Sequence, residues 1–240
     1  MQIAVEGYYP PFSEFNSKGE LEGFDIDFAH AVCATLGREC RLVQQDWDEL
    51  ISGEGLQSGS YDAIIASMSI LPSRRAKFAF TEKYYTTPAR FVGSADAGYE
   101  IGFSNGSWSG VEGLRIGVQE STTEDSFLSD HPVRLGLVTR FKTLPEALTK
   151  LKSGELDLVF ADGFALENGF LSRSEGQGFE MIGQSFDHPR WFGDGIGIAV
   201  HRTNWELVND LNRAIQTIRT NGQYDQIAKK YFNFDIYGTE

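Results

Sequence analysis

An internal repeat constrains the fold of this chain more than any other sequence feature. LQSGSYDAIIAS, residues 56–67, aligns without gaps to LKSGELDLVFAD, residues 151–162, and Leu, Ser, Gly, Asp and Ala recur in register. Each copy predicts a helix end, a Ser-Gly turn, an Asp and a buried strand, followed by one polar residue: Ser67 in the first copy and Asp162 in the second. A chance match is the alternative. Because repeated sequence indicates repeated structure, we interpret the 240 residues as two duplicated units.

Helical and strand patterns alternate along the rest of the chain. Residues 24–36 carry apolar side chains on one helical face, and Gly37 follows as a stop signal. Capping-box patterns predict helix starts at Asp46, Thr143 and Thr203. Short apolar runs typical of buried parallel strands occupy residues 3–5, 41–43, 63–66, 116–118 and 156–160. The alternation predicts an α/β fold with mostly parallel sheets.

The repeat also suggests where a ligand binds. Open α/β sheets bind ligands at the carboxyl ends of their strands. Two duplicated units that face each other would bring these ends to a shared cleft, so Ser67 and Asp162 are candidate site residues. Residues 94–113, which are rich in Gly and Ser, predict an exposed excursion at the start of the second unit.

Composition excludes several classes of function. The formal net charge of −13 argues against nucleic acid or an anionic membrane as a partner. No apolar run is long enough to insert into a membrane. Residues 2–5 read as a strand and not as a signal peptide, so we expect that Met1 replaces a removed leader. The four His residues lack ligand spacing, and no pattern predicts a metal or a cofactor.

Cys33 and Cys40 are the only cysteines. They lie near the end of a predicted helix and at the start of the next apolar run, where they fit a short disulfide clip in an oxidising compartment. Two buried thiols in a cytosolic protein fit the cysteine count equally well.

The segment after the first repeat predicts a carboxylate site. Ser67, Met68 and Ser69 follow a strand, and Arg74 lies in the first turn of a helix that begins near Ser73. Backbone N–H groups and hydroxyls at a helix start bind anions, and a guanidinium adds a bidentate contact. The alternative is a solvated Arg74, as expected for an arginine beside Arg75.

The second unit offers an equivalent polar loop after its first strand, from Gln119 to Thr123. The Thr123 hydroxyl is placed to donate to the same carboxylate, although Ser and Thr also cap helices routinely. In the first unit, Glu6 follows the first strand. Together with Tyr9 and Trp47 it suggests a site for a cationic side chain held by cation–π contact, although such residues also pack at surfaces.

Two enzyme-like patterns fail on context. Residues 102–106 fit G-x-S-x-G, but turn-rich sequence follows where a nucleophile elbow needs a helix. Gly193, Gly195 and Gly197 neither follow a strand nor open a helix, so they fit a crossover strand better than a phosphate-binding loop.

Taken together, the chain resembles the periplasmic amino-acid-binding proteins of ABC importers (family 3 solute-binding proteins), in particular the lysine/arginine/ornithine- and histidine-binding branch. The resemblance implies a type II periplasmic-binding-protein fold with two lobes, residues 1–89 with 193–240 and residues 90–192. Two crossover hinge strands would join the lobes. The motifs that carry it are YYPPF, GELEGFDIDFAHAVC, YDAIIASMSILPSRRAKFAFT, IGVQESTTE, LDLVFAD, GDGIGIAV and YDQIAKKYFNFDIYG.

The resemblance also implies residue roles. Arg74, Ser69 and Thr123 would hold an α-carboxylate, and Asp162 with Ser69 and the Ser67 region would hold an α-ammonium. Glu6 would read the ligand side chain between the aromatic walls, and Cys33 and Cys40 would form a disulfide. Ala66, Gln119 and residues 53–55 depart from the family pattern at positions that affect selectivity. The complete set of expected ligand-binding residues is Glu6, Tyr9, Trp47, Ala66, Ser67, Met68, Ser69, Arg74, Gln119, Thr122, Thr123 and Asp162.

The expected function is therefore a periplasmic receptor, a monomer and not an enzyme, that closes on a basic amino acid and delivers it to a membrane ABC permease. An opine- or glutamine-binding receptor is an alternative within the family. An enzyme on the same scaffold, similar to the cyclohexadienyl dehydratases, is the alternative from another class. The sequence does not separate transport from chemoreception.

Overall fold

The computed structural model describes residues 1–132 and 137–238. The strands in chain order are β1 Gln2–Val5, β2 Tyr8–Tyr9, β3 Ser13–Phe15, β4 Leu21–Glu22, β5 Arg41–Gln44, β6 Ala63–Ile64, β7 Phe78–Tyr85, β8 Ala89–Ser94, β9 Gly102–Ser104, β10 Ser107–Ser109, β11 Arg115–Gln119, β12 Leu137–Phe141, β13 Leu158–Asp162, β14 Phe179–Phe186 and β15 Ile196–His201.

The helices alternate with these strands. They are α1 Phe24–Thr35, α2 Trp47–Ser52, α3 Glu54–Ser58, α4 Pro72–Arg75, α5 Thr123–Asp130, α6 Leu144–Lys152, α7 Gly163–Leu166, α8 Pro189–Phe192, α9 Trp205–Thr220 and α10 Gln223–Ala228. A π-helical turn, Glu167–Leu171, follows α7, and 3₁₀ turns cover Ala95–Ala97 and Ser174–Gly176.

The chain divides into two compact units. The first unit contains residues 1–86 and the segment that starts at Gly193, and the second contains Thr87–Phe192. The chain therefore leaves the first unit after Thr86 and returns to it at Gly193.

Each unit contains one five-stranded sheet, and the two sheets have the same topology. The orders are β5-β1-β6-β15-β7 in the first unit and β12-β11-β13-β8-β14 in the second. In each sheet the first three strands are parallel and the fourth is antiparallel to both neighbours, so four of the five strands run in one direction. The predicted α/β fold with mostly parallel sheets is confirmed.

The sequence repeat coincides with this structural repeat. β6 pairs with β1 in the register Ile3↔Ala63, and β13 pairs with β11 in the register Ile116↔Leu158. Ala63 and Leu158 occupy the same position of the aligned segments. The two copies therefore build the same central strand, one in each unit.

Helix α1 begins against the loop that precedes it. The backbone N–H groups of Phe24 and Asp25 donate to the carbonyls of Pro11 and Phe12 at 3.0 and 2.8 Å. Gly23 has φ 130°, and a side chain there would meet the Phe12 carbonyl. Only glycine fits this approach, which satisfies two N–H groups that an α-helix start leaves without intrahelical partners.

The predicted helix starts differ in how they are capped. At Thr143 the capping box is present, as predicted. Asp46 precedes α2, but its side chain makes no capping bond. The prediction at Thr203 is wrong by one residue, because the Asn204 side chain accepts from the Leu207 N–H at 3.2 Å while the Thr203 hydroxyl pairs with the His201 ring at 2.9 Å.

The Gly- and Ser-rich excursion is a β-hairpin. Strands β9 and β10 are joined by Asn105 and Gly106, both with positive φ. Ile101 and Val111 are buried in the core of the second unit, and Phe103 and Trp108 pack against it. The expected exposure is therefore correct for the turn and wrong for these four side chains. Ser104 lies at the end of β9 in a strand–turn–strand context, which is unlike a nucleophile elbow.

The predicted disulfide is present. Cys33 and Cys40 are bonded, with a Cα–Cα distance of 6.0 Å, and they connect the end of α1 to the residue before β5. Within residues 1–132 and 137–238, none of the helices combines the length and the apolar character needed to cross a bilayer.

Candidate functional site

In the first unit, the loop of residues 67–69 is fixed by both of its neighbours. Ser67 adopts a left-handed backbone conformation with φ 51°, and its hydroxyl donates to Asp25 Oδ2 at 3.0 Å. The Met68 carbonyl accepts from the Gly197 N–H at 3.1 Å, and Ser69 bridges to Ile196. These contacts within the first unit give the loop a defined shape.

Arg74 is the buried cation of the first unit. It lies in the short helix α4, only 9% exposed, whereas its neighbour Arg75 is exposed. Its guanidinium donates to the Ser69 carbonyl at 3.2 Å and lies over the Trp47 ring, 5.4 Å from the centroid. The alternative of a solvated Arg74 is therefore wrong, and the side chain is held beside the loop that the sequence assigned to a carboxylate.

The residues expected to read a ligand side chain are also in the first unit. Glu6 follows β1 and is 3% exposed, and its carbonyl accepts from Gln44 Nε2 at 3.0 Å. The Tyr9 ring stacks on Phe12 at 5.9 Å between centroids. Since Trp47 contacts Arg74, both predicted wall residues already have one packing partner in their own unit.

Ala66 and Met68, like Trp47, are members of the expected set whose side chains lie in the hydrophobic core. Ala66 and Met68 belong to the same buried cluster as Trp47, Leu50 and Phe80. Met68 is fully buried. These residues therefore shape the loop through packing, and the main chain of residue 68 is its polar part.

In the second unit, the polar loop after β11 caps helix α5. Thr122 is the cap, since its hydroxyl accepts from the Asp125 N–H at 3.2 Å and donates to the Gln119 carbonyl at 2.8 Å. The Gln119 side chain donates to the Lys142 carbonyl at 3.2 Å. The alternative that made Thr123 the cap is wrong by one residue, and the Thr123 hydroxyl donates instead to Glu124 Oε2 at 2.9 Å.

Asp162 is a buried carboxyl at the end of β13 and the start of α7. Its Oδ1 atom accepts from the Thr87 hydroxyl at 2.8 Å and from the Phe164 and Ala165 N–H groups at 2.7 and 2.9 Å. The pKa of Asp162 is raised to about 7, mainly because of burial and to a smaller extent because of the negative charge of Glu124, while these hydrogen bonds act to lower it. A cation that pairs with a buried carboxyl of this kind stabilises its ionised form.

Sequence reasoning missed three residues of these clusters: Asp25, Thr87 and Glu124. Thr87 lies in a crossover, and Glu124 has the ordinary appearance of an acidic residue in a first helical turn. Asp25 follows Phe24 at the start of an apolar helix, and an acidic residue in that apolar segment was the one available sequence signal. Among residues 1–132 and 137–238, no group of His, Cys, Asp or Glu side chains is arranged to hold a metal ion.

Comparisons with known proteins cover nearly the whole chain. The L-arginine-binding protein of Pseudomonas aeruginosa is 39% identical over 240 residues, 100% of this chain and 90% of that protein. The histidine-binding periplasmic protein of Escherichia coli is 33% identical over 239 residues, 99% of this chain and 89% of that protein. A Salmonella typhimurium periplasmic binding protein with high arginine specificity superimposes with a TM-score of 0.85 at 27% identity, covering 97% of this chain and 99% of that one.

The family comparison gives the same result. Residues 1–234 match the family described as bacterial extracellular solute-binding proteins, family 3. This range contains both copies of the repeat, the two cysteines and each of the candidate site residues named above. The chain belongs to the bacterial extracellular solute-binding proteins of family 3.

Proposed function

We propose that this chain is an extracytoplasmic receptor for a free amino acid with a cationic side chain, and that it delivers this ligand to an ABC permease. Arg74 is the observation that carries the proposal. A buried guanidinium, oriented by the Trp47 ring and the Ser69 carbonyl beside a rigid loop with a hydroxyl, suits the α-carboxylate that all free amino acids share. The Thr123 hydroxyl of the second unit, which donates to Glu124 Oε2 in this structure, would add a donor after turning to the carboxylate.

The α-ammonium is assigned to Asp162. Its burial and raised pKa make the charged form costly in the absence of a cation, and an ammonium group supplies that cation. Glu124 adds a second negative charge near Asp162 in the second unit. This part of the chain therefore favours a positive ligand group over a neutral one.

Glu6 is assigned to the ligand side chain. It is an acidic residue in the first unit with 3% exposure. It follows β1, as Ser67 follows β6 of the same sheet. A guanidinium or alkylammonium would pair with its charge, with Tyr9 and Trp47 beside the methylene groups. The arginine- and histidine-binding relatives support a basic ligand by their similarity to this chain.

Calorimetric titration with arginine, lysine, ornithine, histidine and glutamine tests the proposal. We expect heats of binding for the basic amino acids and a weaker response to glutamine. A protein that binds glutamine most tightly would contradict the cationic preference and leave the receptor function in place. A protein that binds none of the five would contradict the function itself, and an opine panel would then be the next titration.

The alternative hypothesis, an enzyme on the same scaffold, predicts a different ligand. A dehydratase substrate of the prephenate type lacks the ammonium group that Asp162 suits, so we propose that this chain does not catalyse that reaction. Incubation with prephenate, followed by absorbance of the aromatic product, would show no turnover. We further propose a periplasmic location and a monomer, which fractionation of the native host and light scattering would test.

A further inference from the structure

Asp25 is a fully buried acid outside the expected ligand-binding set. It lies in the first turn of α1 with 0% exposure. Its Oδ1 atom accepts from the Tyr84 hydroxyl at 2.8 Å, and its Oδ2 atom accepts from the Ser67 hydroxyl at 3.0 Å. The backbone N–H of Ser67 also donates to this carboxyl. One side chain therefore contacts both the side chain and the main chain of a residue in the candidate site.

Ser67 is in a conformation that needs such support. A φ of 51° is left-handed, and non-glycine residues there cost roughly 1 to 2 kcal/mol relative to ordinary backbone. The cost is met only where surrounding contacts fix the residue. At Ser67 the contacts from Asp25 act on the strained residue directly.

The strained residue begins the loop that holds Arg74. Ser69, two residues later, accepts from the Arg74 guanidinium through its carbonyl. If Ser67 relaxed to an extended conformation, the direction of the chain through Met68 and Ser69 would change. The Ser69 hydroxyl and the Arg74 guanidinium would then move from the positions in which the structure presents them.

We propose that Asp25 is a positioning residue that holds Ser67 in its left-handed conformation and so fixes residues 67–69 and Arg74 for ligand binding. The proposal rests on the proposed function, since it assigns these residues to the amino-acid backbone. It adds a residue that touches no ligand. It also separates two roles of one carboxyl, because the bond to Tyr84 joins α1 to β7 in the core whereas the bonds to Ser67 act on the site.

Asp25→Asn is the test variant, since it keeps the size of the side chain and replaces one of its two acceptor oxygens by an NH2 donor. Because Asp25→Asn weakens the contact to Ser67, a smaller fraction of the protein should have residues 67–69 in the conformation that binds ligand. Affinity for every amino acid that binds should then fall by the same factor, about fivefold to thirtyfold. The ratio of arginine to glutamine affinities should stay unchanged. An unchanged affinity for arginine in Asp25→Asn would contradict the proposal.

A double-mutant cycle distinguishes positioning from general destabilisation. Ser67→Gly adopts positive φ without support from a side chain. In that background we expect Asp25→Asn to change affinity by less than about twofold, because the residue it acts through no longer needs it. An equal loss in both backgrounds would show that Asp25 acts on affinity by another route.

Two further variants serve as controls. Asp27→Asn is the same substitution in the same helix, at a residue bonded to Lys230 and Tyr231, and it should leave affinity unchanged. Tyr84→Phe removes the other partner of Asp25, and it should lower the melting temperature with less than about a threefold change in affinity. A larger loss of affinity in Tyr84→Phe than in Asp25→Asn would contradict the separation of roles.

Amide hydrogen exchange gives a readout that needs no ligand. In Asp25→Asn we expect faster exchange at Ser67, Met68 and Ser69 than in the wild type, with unchanged exchange in the second unit. If these amides exchange at the wild-type rate, the proposal fails whether or not the protein binds an amino acid. If exchange accelerates and no amino acid binds to the wild type, the proposed function fails alone.

Discussion

Asp62 and Asp157 make the same two backbone hydrogen bonds, one residue in each unit. Asp62 Oδ2 accepts from the Gln2 N–H at 2.7 Å, and the Asp62 N–H donates to the Gln2 carbonyl at 2.9 Å. Asp157 forms the same pair with Arg115 at 2.7 and 2.8 Å. The Asp shared by the two repeat copies thus joins the start of β6 to the start of β1 in the first unit, and the start of β13 to the start of β11 in the second.

The two aspartates differ in one respect that predicts unequal contributions to stability. Asp157 also accepts from Arg115 Nε at 3.0 Å and Nη2 at 2.7 Å, whereas Asp62 is exposed. We expect Asp157→Ala to lower the free energy of unfolding of its unit by about 1.5 to 3 kcal/mol, and Asp62→Ala by about 1 kcal/mol. Urea unfolding of both variants checks this, and equal losses would show that the Arg115 side chain contributes nothing.

The disulfide should stabilise the first unit. It closes a short loop with a sequence separation of 7 residues, which limits the unfolded chain. Replacement of both Cys33 and Cys40 by Ser should lower the free energy of unfolding by about 2 to 3 kcal/mol. A reducing agent should lower the melting temperature of the wild type and leave the double variant unchanged. Insensitivity of the wild type to the reducing agent would contradict the prediction.

The architecture was predictable because its signals are local or repeated. The periodicity of residues 24–36 and the repeat around Asp62 and Asp157 each depend on neighbouring residues in the sequence. The helix caps were predictable only to within one residue. Thr203 and Asn204, like Thr122 and Thr123, are adjacent residues with similar capping ability, and the choice between them depends on nearby partners such as His201 and Glu124.

The candidate site was predictable in its strand ends and not in its contacts. Ser67 and Asp162 follow from the repeat. The burial of Arg74 against Trp47, and the bonds from Asp25 to Ser67, join residues that are distant in sequence. Local patterns treat Arg74 and Arg75 alike, so tertiary packing alone separates the buried cation from the exposed one.

Arg74 and Arg75 form a matched pair for testing the carboxylate contact. Arg74→Met should abolish measurable binding of all α-amino acids, because a buried carboxylate that loses its cation costs about 3 to 5 kcal/mol. Arg75→Met, an identical change at the adjacent exposed residue, should leave affinity unchanged. Calorimetry with arginine and lysine measures both variants. Retained affinity in Arg74→Met would place the carboxylate elsewhere.

Glu6 should set the preference for a cationic side chain. In Glu6→Gln we expect arginine or lysine to bind about 1.5 to 3 kcal/mol more weakly, the range for hydrogen bonds to charged groups, while glutamine loses much less. Glu20→Gln, at an exposed acid of the same unit, is the control. Equal losses for charged and neutral ligands would indicate that Glu6 has a structural role instead.

The pH dependence of binding should report the charge of Asp162. Burial raises the pKa of Asp162 to about 7, and on the proposed function the ligand ammonium would pair with the ionised form. Affinity should therefore reach its full value above about pH 7. It should fall as the pH drops, by about tenfold per pH unit well below the pKa. Titrations at intervals between about pH 5 and 8 measure the slope.

The stability of the protein without ligand should change with pH in the opposite direction to its affinity. A carboxyl whose pKa is raised by folding retains its proton in the folded state, so its contribution to stability is complete below the unfolded pKa of 3.8 and is lost as the pH rises through about 7. Burial also raises the pKa of Asp25 to about 7, so Asp25 adds to this trend.

Asp162→Asn separates the effects of the two carboxyls: this variant should bind the amino acid weakly, with little dependence on pH. If Asp162→Asn kept the full pH slope of the wild type, the slope would come from the titration of another group, with Asp25 the first to test.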